Sequence, residues 1–121
     1  MAIPSGAGTE VLNNIPKNGL NNAWWSGSDV TVPSDHIWTI LSIIICSLSS
    51  STSSIGLRMV PGSAPDSGST IDLIANTGDT TVERYHTFVW SDKLVLYAGD
   101  EIRVSTNQTA DILISYIDQH F

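Results

Sequence analysis

The side chains best suited to chemistry in this sequence are three histidines, one cysteine and a handful of acids, and their spacing decides what they can do. His36, His86 and His120 stand far apart, with no partner two or four positions away, and Cys46 belongs to no Cys-x-x-Cys pair. A tetrahedral zinc site draws its ligands from short, regular spacings, and none is present. Asp66, Asp79 and the pair Asp100-Glu101 fall in or beside expected loops, but without the alternating acids and glycine of a calcium loop. Serines are abundant, yet none sits in a Gly-x-Ser-x-Gly elbow, and Cys46 has no histidine-and-acid context. His86, between Tyr85 and Thr87, reads as a structural histidine in a strand. Asp100 and Glu101 are adjacent, so in a strand they point to opposite faces and cannot work as an acid–base pair. Gly6 and Gly8 precede no strand–helix unit that would cradle a phosphate. Asn107-Gln108-Thr109 is an isolated sequon in a chain rich in Asn and Thr. The sequence therefore reads as non-enzymatic, with no cofactor and no metal.

Aromatic residues offer a different function, recognition. Sugar sites stack pyranose faces on exposed rings flanked by polar side chains. Trp38 and Trp90 lie in expected strands and read as core. Trp24-Trp25, beside Asn21, Asn22, Ser26 and Ser28, is the pair most open to a ligand. Its first reading is an anchor for a protein contact, since aromatic residues dominate such contacts. Its second is a carbohydrate platform.

Composition narrows the partners. Five basic against twelve acidic residues give a net charge of −7, and Lys17, Arg58, Arg84, Lys93 and Arg103 are scattered. Binding to nucleic acid needs clustered cations that displace counterions, and anionic membranes need the same, so neither partner is expected. Charged residues are only 14% of the chain while hydrophobic residues are 41%. The polar remainder is Ser, Thr, Asn and Gly, a surface suited to wide contacts within particles. The single Cys46 excludes an intrachain disulfide and reads as a buried, inert thiol. The beginning MAIPSGAGTEVL has neither the basic nor the apolar region of a secretory signal. The most apolar stretch, residues 37–48, is shorter than the roughly 20 residues a spanning helix needs.

The elements that must position these residues are strands. Residues 30–32 alternate up to Pro33, and residues 36–48 are rich in β-branched side chains with both parities apolar, which implies cover on both faces of the sheet, by another subunit on one of them. Further strand signals cover 55–59, 71–75, 80–90, 94–97, 102–104 and 110–117, separated by Ser-rich, Pro/Gly-rich and Asn-containing turns. Gly99-Asp100 is a turn pair in which glycine is free to take a positive φ. Seven or eight strands predict an all-β fold, an antiparallel β-sandwich of jelly-roll-like type, over residues 29–121. Residues 1–28 keep no period and hold several glycines, prolines and Asn pairs, so they read as an extended N-terminal arm. The arm also carries Ile3, Val11, Leu12, Ile15, Leu20, Trp24 and Trp25, which imply docking on its own domain or on a neighbour.

The run LVLYAGDEIRVSTNQTADILISYID resembles a pattern recurrent in small virion proteins of tailed bacteriophages: an apolar strand, a Gly-Asp turn, a second strand, a polar turn and a final alternating strand. Here it is carried by Leu94, Leu96, Ala98, Gly99, Asp100, Ile102, Val104, Ala110, Ile112 and Ile114. Upstream, VPSDHIWTILSIIICSLSSSTSSIGLRMV is similar to that family's opening, and MAIPSGAGTEVL is similar to the amino-terminal arms of phage structural proteins. The ending Gln119-His120-Phe121 departs from the acidic terminus common in such strands. The resemblance implies a capsid decoration (cement) protein that binds the particle exterior through its arm and an apolar face. It also implies major capsid or other virion proteins as partners, a homo-oligomer with a trimer favoured, and a virion location after assembly in the host cytoplasm. The alternative is a neck or tail accessory protein, or an adhesin module binding host-surface carbohydrate through Trp24 and Trp25.

Overall fold

A computed structural model describes residues 9–62, 69–75 and 77–121 of the 121-residue chain. Among the described residues ten strands follow in order: β1 (Thr9–Leu20), β2 (Ala23–Trp25), β3 (His36–Ser47), β4 (Ser53–Val60), β5 (Ile71–Ile74), β6 (Thr81–Val82), β7 (Thr87–Trp90), β8 (Leu94–Tyr97), β9 (Glu101–Thr106) and β10 (Ala110–His120). One 3-10 turn, Ser28–Val30, links β2 to β3.

The strands form two antiparallel sheets. The first runs β1-β10-β3, with β7 and β8 both pairing the far edge of β3. The second runs β2-β9-β4, with β5 and β6 both pairing the far edge of β4. Counting β5 with β6 and β7 with β8 as single positions leaves eight. The first position then pairs the eighth, the second the seventh, the third the sixth and the fourth the fifth. That is a long hairpin wrapped around a common core, the topology of a jelly roll.

Alternation puts one face of each sheet into that core. In β10 the even positions Ala110, Ile112, Ile114 and Tyr116 are buried, and in β9 Ile102 and Val104 are. Ile55 and Leu57 of β4 meet them from the same sheet as β9. Each such aliphatic side chain contributes about 1.5–3 kcal/mol by leaving water.

Strand β3 breaks its own alternation. Trp38 and Ile40 are buried, then Ile43, Ile45 and Ser47, so the buried parity switches in mid-strand. The register explains it: Ser42 faces Ser115 and Ile40 faces Tyr116, which leaves Leu41 as an extra, bulged residue. Part of the double apolar parity of residues 36–48 is therefore the mark of a bulge. The rest is real, because Ile37, Ile44 and Cys46 stay on the outer side.

Two expectations are corrected. Of the two dockings expected for the arm, on its own domain or on a neighbour, residues 9–25 take the first, and they do so as strands of the sandwich rather than as a segment outside it. β1 pairs β10 from Thr9 to Leu20, and β2 pairs β9, so the boundary at residue 28 cuts through both sheets. Leu20 and Trp25 belong to the core, because the β1–β10 and β2–β9 ladders carry them between the sheets. Residues 1–8, with Ile3, lie outside the described residues. The expected strand over 80–90 is two strands, β6 and β7, divided at Glu83–His86, where Tyr85 takes a φ of 56° and His86 N–H donates to Glu83 O at 3.0 Å. His86 thus sits in an exposed turn, with Nδ1 3.4 Å from Glu83 Oε2.

Candidate docking surface

Most side chains that could do chemistry are engaged in holding the fold. Asp100 is buried at the turn before β9. Its Oδ2 accepts from Tyr97 N–H and its Oδ1 from Gly62 N–H, both at 2.9 Å. Gly99 beside it has a φ of 87°, the conformation its residue type permits. Gly62 packs so closely that a Cβ there would lie 2.2 Å from Gly99 O. Glu101 accepts from Gly27 N–H at 2.7 Å and also binds Arg103, which tethers the 3-10 turn to β9. His36 Nδ1 lies 2.7 Å from Asp118 Oδ1, and its ring stacks on His120 with centroids 4.4 Å apart, closing the start of β3 on the end of β10. Among the described residues, no group of three or more His, Cys, Asp or Glu side chains is placed to hold a metal ion. Burial, and secondarily the charge of Asp118, raises the Tyr116 hydroxyl above its ordinary pKa of 10.0.

The residues expected to bind a partner are dispersed. Val11 and Leu12 are exposed on β1, Ile15 packs against the core from the same strand, and Leu20 is buried. Trp25 is only 5% exposed and points inward, so it is open to neither a protein partner nor a sugar. Its neighbour Trp24 points to the opposite side, half-buried, with the Arg58 guanidinium 3.7 Å from the ring centroid. Beside Trp24 is a shallow depression of about 200 Å³ lined by Asn22, Ala23, Ser105, Thr106 and Asn107.

The two outer faces differ in kind. The outer face of the β2-β9-β4 sheet carries Arg58, Asp72, Glu101 and Arg103 at outward register positions, and these pair among themselves: Arg58 Nε is 3.3 Å from Asp72 Oδ1, and Arg103 binds Glu101. The outer face of the β1-β10-β3 sheet is uncharged over most of its area, with apolar rows on either side of a polar one, Asn14–Ser115–Ser42. The pairings Pro16–Leu113–Ile44 and Leu12–Ile117 run across it, and Val89 and Val95 extend it from β7 and β8. Leu12 is 74% exposed, Val89 53% and Val95 50%. The charged groups at its outward positions are Glu10 and Asp111, at opposite ends, and Asp111 Oδ1 already accepts from Gly19 N–H at 2.8 Å. A groove of about 280 Å³ at the end of this face is lined by Pro16, Lys17, Asn18, Ile44, Cys46 and Leu113, with Asp111 at its rim.

Sequence reasoning placed the sticky surface in residues 1–28 and on one face of residues 36–48, and passed over Leu113, Ile117, Val89 and Val95. The signal was present. In residues 110–117, Leu113 and Ile117 add apolar side chains to the parity opposite Ile112 and Ile114, as Ile44 does in β3.

The fold and its surfaces define the class: a jelly-roll β-sandwich with one self-paired charged face and one face with few charges and two apolar rows. No protein-family model and no curated protein matches the sequence.

Proposed function

We propose that this chain is a non-enzymatic structural protein of a tailed-bacteriophage particle, a capsid decoration protein that works by burying surface against other virion proteins. The observation that carries this reading is the outer face of the β1-β10-β3 sheet, with two apolar rows and nearly free of charge on a chain of net charge −7. A soluble monomer rarely leaves such a face bare without a use for it. The jelly roll supports the reading as a rigid scaffold of the kind used in capsid and lectin domains, although a fold alone does not decide function. The loose resemblance of residues 94–118 to small phage virion proteins points the same way. Contact is made through the sheet face, to which β1 contributes Leu12 and Pro16, rather than through an arm separate from the sandwich. Quantitative mass spectrometry of purified particles tests this. Copies in the hundreds fit decoration of a whole head, and roughly a dozen or fewer fit the neck or tail. Absence from the particle would sink the reading.

One observation favours a second reading, an adhesin module binding host-surface carbohydrate. Trp24 adjoins a depression whose rim offers the Asn22 and Asn107 amides, a combination of aromatic ring and polar side chains that suits a neutral sugar. Trp24→Ala would then abolish signal on a glycan array while leaving particle incorporation unchanged.

A further inference from the structure

The outer face of the β1-β10-β3 sheet has the size, shape and charge to close on itself. The sheet is four strands wide, because β7 and β8 share one edge of β3. At about 4.8 Å between strands and 3.3 Å per residue, its face measures roughly 19 Å by 36 Å, on the order of 700 Å². A standard interface buries about 800 Å² on each partner.

Charge decides where two copies can meet. Two chains of net charge −7 repel at long range, so a contact between copies must use surface without acids at its centre. This face meets that condition. Its centre is Leu113, Ile44, Ser115, Ser42 and Ile117, and its two acids stand at opposite ends, where a wet rim leaves them hydrated. The opposite sheet does not meet it, since Arg58, Asp72, Glu101 and Arg103 would have to be desolvated there. Nor do the sheet edges invite strand pairing. β1 carries Pro16 and a register break between Lys17 and Leu20, and the far edge is interrupted at Ser91–Lys93 between β7 and β8.

We propose that the protein is a two-fold dimer in which the β1-β10-β3 faces of two copies pack against each other, sheet on sheet. One patch meeting itself is an isologous contact, which is complete at two copies, whereas a trimer needs two different complementary patches. The dimer therefore replaces the trimer that the phage resemblance implied. The second copy takes the face that the decoration reading assigns to other virion proteins, so the two compete for it: sedimentation decides the dimer, and mass spectrometry of particles decides decoration separately.

The test is the mass of the full chain in solution. Sedimentation at roughly 100 μM, a hundredfold above a micromolar dissociation constant, should give a species of twice 13.0 kDa. Val95→Lys and Val89→Lys place cations on exposed positions at the interface, where folding tolerates them. Each should raise the dissociation constant at least tenfold with an unchanged circular dichroism spectrum. Asp72→Lys on the opposite sheet should leave the dimer intact. A wild-type monomer, a trimer, or a dimer that survives both valine substitutions would overturn the proposal. Equal dissociation by Asp72→Lys would overturn it as well, by placing the contact on the other sheet.

Discussion

Asp100 is where the carboxylate most open to a catalytic reading turns out to be a structural part. Its two oxygens hold two backbone N–H groups from segments 38 and 3 residues away, Gly62 and Tyr97. Removing it strands both donors, and an unpaired buried donor costs about 1–3 kcal/mol. Asp100→Ala should therefore lower stability by about 2–4 kcal/mol in urea melts, and Asp100→Asn, which keeps one acceptor, by less. Gly62→Ala should cost about 1–3 kcal/mol at the same turn, because its Cβ has nowhere to go but into Gly99 O. Tyr116 makes a prediction about pH. Its hydroxyl is held above 10.0 in the folded chain, chiefly by burial, whereas the unfolded chain ionises near 10.0. Above that pH the unfolded state loses a proton that the folded state keeps, so stability falls as pH rises and is unaffected below it. Thermal melts of Tyr116→Phe between about pH 9 and 11 should show a shallower decline than wild type.

At the scale of elements, the alternation in residues 102–104 and 110–117, the Gly99-Asp100 turn and the β-branched run at 36–48 all stand in the sequence, because they reflect local choices of residue. Strand β1 does not. Its pattern, TEVLNNIPKNGL, has exposed Val11 and Leu12, a proline and two Asn in a row, since an edge strand with one covered neighbour needs little apolar alternation. What makes it a strand is β10, some 100 residues away, and no local signal records that. The bulge at Leu41 is equally silent in the sequence, being visible only as a change of parity once the register is known. The apolar partner-binding surface was half legible, as double parity in β3 and β10, but its extension through Val89 and Val95 depends on topology. The reassignment of residues 9–25 to the sandwich is open to a direct check. Trp25→Ala should cost about 3–5 kcal/mol, as for a core aromatic residue. Trp24→Ala should cost about 1–2 kcal/mol, from half-buried area and its contact with Arg58. Equal, small effects would restore the free arm.

For the whole molecule, the wrapped hairpin makes nearly every contact distant in sequence: β1 with β10, β2 with β9, β3 with β7 and β8. A chain of this kind folds slowly, in milliseconds to seconds, and exposes both faces of its sheets while it does so. One face is satisfied by the opposing sheet, and the other stays bare in the finished monomer unless a second body covers it. Cys46 reports on that cover without any substitution. It stands on the outer face of β3, opposite Asp111, within the groove shared with Ile44 and Leu113. As the chain's single cysteine, it confines a maleimide to one position. If the face is packed against a second copy, labelling should slow as protein concentration rises through the dissociation constant, approaching the rate of dimer opening. Val95→Lys should shift the slowing to concentrations at least tenfold higher. A wild-type rate that is fast and the same from about 1 to 100 μM, equal to that of the cysteine in unfolded chain, would show the face open throughout that range, where even a micromolar dimer must have formed.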